Sequence, residues 1–306
     1  MPDAGTRPSA RPGTRLLWPA LALPGMAWIA LLFILPLYVV LAIVFGRMDP
    51  VFRTPLPVWN PLAWDFSQFT FVLERIVGEG GYFGPALART GVYVLVASSL
   101  CVLIAYPVAY YTARYARRKA LLLTLLIAPF WISYMMRMLA WVNLLQDDGL
   151  VNQALSFGGL FPGDVNWLDG RSSTVVLGLV YGYVPYMILP LYAGLDRIPA
   201  PVLEAARDLG ASRWEAFRRV TLRLSRPAIV AGVLLTSLPM LGDYFTSDLL
   251  SGSPRTSMAG NLINSSVQTP GQTGQAGAFV LIVLLVALVP MLLYIRTVRD
   301  PSAVRS

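Results

Sequence analysis

Six long apolar stretches constrain the fold of this chain more than any other feature. A helix needs about 20 mostly apolar residues to cross the hydrocarbon core of a bilayer. The stretches run from Leu21 to Phe45, Ala88 to Tyr111, Leu121 to Leu144, Thr174 to Leu195, Pro227 to Leu249 and Ala276 to Ile295. Only 13% of the 306 residues are charged, against about 25% in a soluble domain. The sequence therefore predicts an all-α polytopic membrane protein with about six transmembrane helices.

The placement of arginine and lysine predicts how the chain is oriented, because cytoplasmic loops of membrane proteins are enriched in these residues. Most of the arginines and lysines lie in four segments between the apolar stretches, and these segments alternate along the chain with segments that hold fewer. The four groups are Arg7, Arg11 and Arg15; Arg114, Arg117, Arg118 and Lys119; Arg197, Arg207, Arg213, Arg218, Arg219, Arg223 and Arg226; and Arg296, Arg299 and Arg305. We therefore expect a multi-pass protein of a prokaryotic inner membrane with both termini in the cytoplasm. The net charge of +8 follows from this bias and gives no reason to expect nucleic acid as a partner.

These features divide the chain into successive regions. We expect a cytoplasmic tail over residues 1–20, a first transmembrane helix over 21–45, an outer loop over 46–87, a core membrane domain over 88–296 and a cytoplasmic tail over 297–306. The core domain includes a cytoplasmic polar segment, residues 196–226. The two long outer loops, 46–87 and 146–173, are either solvated connectors or a landing surface for an outer partner.

The chain contains no histidine, and this excludes several kinds of site. Nucleophile pairs of the Ser-His or Cys-His type and metal sites built on histidine are impossible. The G-x-x-x-x-G-K-[ST] loop that cradles nucleotide phosphates is also absent from the sequence. We therefore expect no enzymatic activity, no metal site and no cofactor in this chain.

The polar segment has local signals for two short helices separated by a turn. Pro201 suits the first turn of a helix, where Glu204 is favoured by the helix dipole. Gly210 is typical of a helix stop. Ser212 and Glu215 have the spacing of a capping box, which predicts the start of the second helix.

Trp214, Phe217, Val220 and Leu224 form an apolar stripe on that second helix, and the stripe has two interpretations. An interfacial helix would lie on lipid with its arginines at the headgroups. A docking helix would instead enter a groove on a cytoplasmic partner. The small residues Ala205, Ala206 and Gly210 favour docking, because they permit close approach of another backbone.

At this point a family resemblance becomes visible. The stretch "EAARDLGASRWEAFRRVTL" resembles the E-A-A-x-x-x-G loop of binding-protein-dependent ABC importer permeases. The stretches "PFWISYMMRMLAW", "DDGLVN", "YGYVPYMILPLYAGL" and "LPMLGDYFTSDLLSG" resemble the spermidine/putrescine-type members. The resemblance covers the chain from about Leu21 to Arg296. Where the family usually has Leu-Pro this chain has Leu222-Arg223, so we expect the second helix to run straighter.

The resemblance implies a MetI-like permease fold and a set of partners. The polar segment would dock into a cytoplasmic ATPase subunit, and the residues implied in this coupling are Glu204, Ala205, Ala206, Asp208, Gly210, Trp214 and Phe217. Two ATP-binding subunits, a second homologous permease and an outer solute-binding protein would complete the transporter. ATP hydrolysis would take place in the partner, not in this chain.

Ionisable residues inside membrane spans are candidates for the substrate path. Arg137 and Asp243 lie at similar depths in the third and fifth spans, so they could form an ion pair that locks the two spans. Alternatively, Asp243 could bind a cationic substrate, with aromatic or neighbouring side chains lining the path: Tyr244, Phe245, Trp131, Tyr134 and Arg137. The resemblance points to a polyamine; another small organic solute, or an ion-coupled secondary transporter, is the alternative.

Overall fold

The computed structural model describes residues 14–52, 54–78, 81–157 and 165–299, and these are almost wholly helical. The helices are α1 Thr14–Val44, α2 Ser67–Val77, α3 Phe83–Arg114, α4 Lys119–Ile127, α5 Tyr134–Leu145, α6 Leu150–Phe157, α7 Ser172–Asp196, α8 Ala200–Asp208, α9 Arg213–Ala216, α10 Leu222–Leu241, α11 Phe245–Leu250, α12 Ala259–Gln268 and α13 Thr273–Arg299. Strands β1 Arg47–Met48 and β2 Pro55–Leu56 pair antiparallel between α1 and α2. Arg7, Arg11 and Arg305, which the orientation prediction used, lie outside the described residues.

The membrane spans follow the apolar stretches. Five helical units of the described chain are long and apolar enough to cross a bilayer: Leu21–Val44, Phe83–Arg114, Ser172–Asp196, Arg213–Leu241 and Thr273–Leu292. A sixth crossing is formed if the pair Lys119–Trp131 and Tyr134–Leu145 is counted as one span. The prediction of an all-α protein with about six transmembrane helices is therefore confirmed.

The third span is not the continuous helix that its hydropathy suggested. A 3₁₀ turn over Ala128–Trp131 follows α4, and Ile132 and Ser133 then adopt extended backbone angles before α5 begins. The axes of the two halves differ by 84°. Pro129 lies within the turn, where its ring and missing N–H prevent regular helical hydrogen bonding. Residues counted along a straight third span therefore receive the wrong depth.

The fifth span also differs from its predicted course. Its main helix, α10, ends at Leu241, and a turn at Gly242–Asp243 precedes the short helix α11. At its other end the helix continues beyond the predicted span, through a π-helical segment, Phe217–Thr221, into α9. The α-helical geometry of α10 begins at Leu222 and includes Arg223.

Helix α7 is the centre of the larger hydrophobic core, with α3 and α10 packed on either side of it. Its Leu179, Met187 and Leu191 are fully buried. Small residues bring α7 and α10 close together, since a Cβ added at Gly194 would overlap the Cβ of Ala228. Close contact of this kind is the usual basis of helix association in membranes, where lipid removes the hydrophobic driving force.

We expect Gly194→Ala to destabilise the folded protein, because the Ala228 methyl has no rotamer with which to move away and the two backbones must separate. Overpacking of this kind costs about 1–3 kcal/mol. Gly91→Ala is the matched control, because its added Cβ would meet no atom within 4 Å. Thermal unfolding in detergent should show a lower midpoint for Gly194→Ala only; equal midpoints would contradict the close α7–α10 contact.

Candidate functional site

The polar segment folds as its local sequence predicts. Helix α8 begins after Pro199 with Pro201 in its first turn, and the chain reverses at Gly210 with φ +89°. The Gly210 N–H donates to the Arg207 carbonyl at 2.8 Å. A Cβ at Gly210 would meet no other atom within 4 Å, so glycine is required here for its backbone angle and not for space. Glu204 lies beyond the first turn of α8, so its predicted first-turn position is wrong.

The predicted capping box is present at the start of α9. The Ser212 hydroxyl accepts a hydrogen bond from the Glu215 N–H at 3.2 Å, and the Glu215 carboxylate accepts one from the Ser212 N–H at 3.0 Å. The bond from the Ser212 N–H, reinforced by its hydroxyl, lowers the pKa of Glu215. A lowered carboxyl pKa means that the cap contributes stability above the unfolded pKa and loses it as the pH falls through the folded value.

An aromatic stack connects the polar segment to α3. The Trp214 and Phe217 rings are stacked with centroids 5.5 Å apart. Phe217 in turn meets the Tyr106 and Tyr110 rings edge-on, at 5.9 and 5.5 Å. The Tyr106 hydroxyl is 2.9 Å from the Ser225 hydroxyl of α10. Phe217 therefore connects Trp214 to α3, and Tyr106 connects α3 to α10.

Most members of the predicted coupling set are exposed. Trp214 leaves 66% of its surface exposed. Glu204, Ala205, Asp208 and Gly210 are also exposed, whereas Ala206 and Phe217 are partly buried. The segment thus presents an exposed aromatic ring and a small-residue helix face on a scaffold fixed by two local caps.

A buried carboxylate lies where the two broken spans meet. Asp243 is 6% exposed. Its Oδ2 accepts hydrogen bonds from the hydroxyls of Tyr134 at 2.6 Å, Thr246 at 2.8 Å and Tyr183 at 3.3 Å. Its Oδ1 accepts the Thr246 N–H in the first turn of α11 at 3.0 Å, a local bond from side chain to backbone. One side chain therefore joins α5, α7 and α11.

Arg137 is not the partner of this carboxylate, and the predicted Arg137–Asp243 ion pair is wrong. The Arg137 guanidinium carbon lies 5.1 Å from the centroid of the Phe130 ring and 5.4 Å from that of Tyr134. The break at Ile132–Ser133 explains the difference, because it turns α5 so that the Tyr134 hydroxyl reaches Asp243 and Arg137 lies over the Phe130 and Tyr134 rings. Hydroxyl groups take the place that the guanidinium was expected to fill.

The other predicted path residues do not join the cluster. Trp131 is 83% exposed. The Tyr244 and Phe245 rings stack on each other with centroids 4.1 Å apart, and Tyr244 lines a separate cavity of about 540 Å³ with Gly242 and Asn264. Besides Tyr134, the hydroxyls that bond the carboxylate are those of Tyr183 and Thr246, which were not among the predicted path residues. The Gly242–Asp243 pair followed by a threonine at the third position was the available signal, because this spacing is typical of a helix cap.

The fold and these two features define a class: a multi-pass membrane transport protein with a structured polar segment between two spans. Comparisons with known proteins agree with this class. Residues 95–299 match the family model described as "Binding-protein-dependent transport system inner membrane component", and the chain belongs to this family as a permease subunit of an ABC transport system. The predicted family is therefore confirmed.

Similar proteins support the same assignment. The "Spermidine/putrescine transport system permease protein PotB" of Escherichia coli (strain K12) is 31% identical over 78% of this chain and 82% of its own length. The protein of the same name from Haemophilus influenzae is 32% identical over 78% and 79%. The "Inner membrane ABC transporter permease protein YdcU" of Escherichia coli (strain K12) is 33% identical over 72% and 75%.

A solved structure shares the fold. A chain of the bacterial alginate ABC transporter, in complex with its alginate pentasaccharide-bound periplasmic protein, superposes with a TM-score of 0.64 over 92% of this chain and 93% of its own. The two sequences are 20% identical. This similarity confirms the permease fold.

We expect Tyr134→Phe to destabilise the protein more than Tyr183→Phe. Each substitution removes one hydroxyl that donates a hydrogen bond to the Asp243 carboxylate. The oxygen–oxygen distance is 2.6 Å for Tyr134 and 3.3 Å for Tyr183, so the Tyr134 bond is the shorter one. Loss of a hydrogen bond to a charged group costs about 1.5–3 kcal/mol. Thermal unfolding of the two variants in detergent checks the order, and an equal or reversed order would show that Tyr134 does not hold the break in place.

Proposed function

We propose that this chain forms the translocation path of an ATP-driven importer and that its polar segment couples the path to a cytoplasmic ATPase subunit. The observation that carries the proposal is the exposed Trp214 ring stacked on Phe217, which contacts α3. Exposed aromatic residues on a rigid scaffold are the usual anchors of protein interfaces. A helix that only rested on lipid would not need the small-residue face of Ala205 and Ala206 beside it.

The proposed assembly contains two ATP-binding subunits, a second homologous permease and an outer solute-binding protein. Both termini and the polar segment lie in the cytoplasm, as the arginine distribution indicates. ATP binding closes the ATPase subunits, and Trp214 and its neighbours transmit that movement through Phe217 to α3 and α10. The family membership does not favour the alternative of an ion-coupled secondary transporter.

We expect Trp214→Ala and Gly210→Glu to abolish transport while leaving the chain in the membrane. The first change removes the exposed anchor, and the second forces a residue with a side chain into a positive-φ position. Pull-down of the detergent-solubilised chain should recover much less ATPase subunit with either variant.

Trp59→Ala is the control, because Trp59 is also exposed but lies between α1 and α2, far from the polar segment in the chain. It should retain the ATPase subunit. Recovery of the subunit at the wild-type level with Trp214→Ala and Gly210→Glu would remove the basis for coupling through this segment.

The proposed substrate is a polyamine. The relatives named for spermidine and putrescine transport match this chain over most of its length, and aliphatic ammonium groups suit a path that contains a carboxylate and aromatic rings. Asp243 is buried, and its Oδ2 accepts three hydroxyl hydrogen bonds in the observed conformation, so an ammonium group would bind that oxygen only after a hydroxyl is displaced. Within the same family, another small organic solute is the second candidate.

We expect proteoliposomes holding the complete transporter to take up labelled spermidine when ATP is supplied, with competition by putrescine. Asp243→Asn should lower uptake strongly, because the amide accepts hydrogen bonds less well and cannot attract an ammonium ion. Asp148→Asn, at an exposed carboxylate before α6, should leave uptake unchanged. Uptake with unaltered rate and affinity in Asp243→Asn would show that Asp243 neither binds substrate nor holds the path together.

A further inference from the structure

The Arg137 side chain is buried without any anionic or hydrogen-bonding partner among the described residues. It is 6% exposed, and its Nε is fully enclosed with no acceptor. Its contacts are the faces of the Phe130 and Tyr134 rings. A guanidinium has five N–H donors, and a buried charge without a counterion is strongly unfavourable. The charge therefore needs a partner from beyond the described residues of this chain.

Arg137 lies deep in the membrane. Its two aromatic neighbours contact α7 between Gly182 and Tyr186, since an added Cβ at Gly182 would meet the Tyr134 ring and the Phe130 and Tyr186 rings are in contact. These positions are about 15–21 Å along α7 from its first residue, at a rise of about 1.5 Å per residue. The hydrocarbon core of a bilayer is about 30 Å thick. Arg137 is thus near the middle of the bilayer, far from the phosphates of either surface.

The guanidinium faces a cavity of about 890 Å³ between α3, α7 and the break in the third span. The cavity is lined by apolar side chains such as Val96, Leu100 and Val184, with Ser172 and Ser173 at one end. Val92 and Leu100 on its α3 wall are exposed. The site therefore combines an apolar groove along a helix with one unpaired cation at mid-depth.

Three possible occupants do not fit a groove that is apolar and has a cation at mid-depth. Lipid phosphates are excluded because they lie at the bilayer surfaces, whereas the guanidinium is held over two rings near the middle of the bilayer. A polycationic substrate would be repelled by Arg137 at close range in a medium of low dielectric constant. The exposed first span of a second copy of this chain, α1, has the right apolar surface but contains no aspartate or glutamate.

We propose that this groove receives a transmembrane helix of the second permease subunit, and that a carboxylate on that helix pairs with Arg137 near the bilayer midplane. The inference rests on the proposed function, because it requires the second permease. It also serves that function: pairing neutralises a positive charge close to Tyr134 and Asp243, where a cationic solute would pass. Arg137 then acts as a specificity-determining contact between unlike permeases and not as a substrate ligand.

The test uses the complete transporter, purified through a tag on this chain. Arg137→Glu places two carboxylates together and should lower recovery of the second permease about tenfold or more, since breaking a buried ion pair leaves an uncompensated charge. Changing each aspartate and glutamate in the spans of the second permease to lysine should identify one position that restores recovery with Arg137→Glu. That charge swap is the decisive result, because a general folding defect would not be rescued by it.

Arg75→Glu is the matched control. Arg75 also lies over a phenylalanine ring, with its guanidinium carbon 5.0 Å from the Phe71 centroid, but it is exposed on α2. The control should recover the second permease normally. Two results of the pull-down would overturn the inference: normal recovery of the second permease with Arg137→Glu, or failure of every charge swap to restore recovery. A tightly bound anionic lipid that native mass spectrometry detects in the wild type and that is lost only in Arg137→Gln would also overturn it.

A failure of the proposed function would be distinguishable, because the wild-type complex would then show no ATP-driven uptake.

Discussion

The hydrogen bonds of the Asp243 carboxylate are the interaction on which the membrane part of this structure depends. Hydrocarbon offers no partner to a free backbone group, so irregular backbone at membrane depth requires partners within the protein. The third span is broken at Ile132–Ser133 and the fifth at Gly242–Asp243. Asp243 caps the backbone of the second break through Thr246 and holds the first through Tyr134, and the uninterrupted helix α7 adds Tyr183. The same carboxylate therefore connects the two breaks to each other and to α7.

The same bundle has a second organising feature at the polar segment, which is built from local caps instead of long-range bonds. Gly210 and the Ser212–Glu215 box fix the two short helices without help from the spans. The segment then meets the bundle through aromatic contacts, from Phe217 to Tyr106 and Tyr110. The π-helical stretch that follows Phe217 continues directly into α10. Because rigid local geometry is joined to a continuous helix, the proposed coupling has a direct structural route from the exposed surface to the spans.

The sequence predicted features whose causes are local or compositional. Hydropathy and length gave the six crossings, and the chemistry of glycine, serine and glutamate gave the turn at Gly210 and the capping box. Pro129 and Pro239 predicted kinks in the third and fifth spans, but hydropathy and proline content predicted neither the extended residues Ile132–Ser133 nor the turn at Gly242–Asp243. The predicted Arg137–Asp243 ion pair was wrong because the depths of the two residues in the membrane were counted along straight helices. Tyr183 joins the cluster through the packing of α7 against α5, a relation for which a single sequence contains no periodic signal.

The bend in the third span has opposite consequences for the two charged residues near it. It carries Tyr134 to Asp243, where hydroxyl groups replace a cation, and it leaves Arg137 against two rings with no anion. A carboxylate can be satisfied by neutral donors, because each hydroxyl places one proton on one oxygen lone pair. A guanidinium in the same setting needs several acceptors in its own plane, and no described residue accepts a hydrogen bond from Arg137. In the pairing proposed above, the second permease would supply that acceptor, and this chain could then retain the charge.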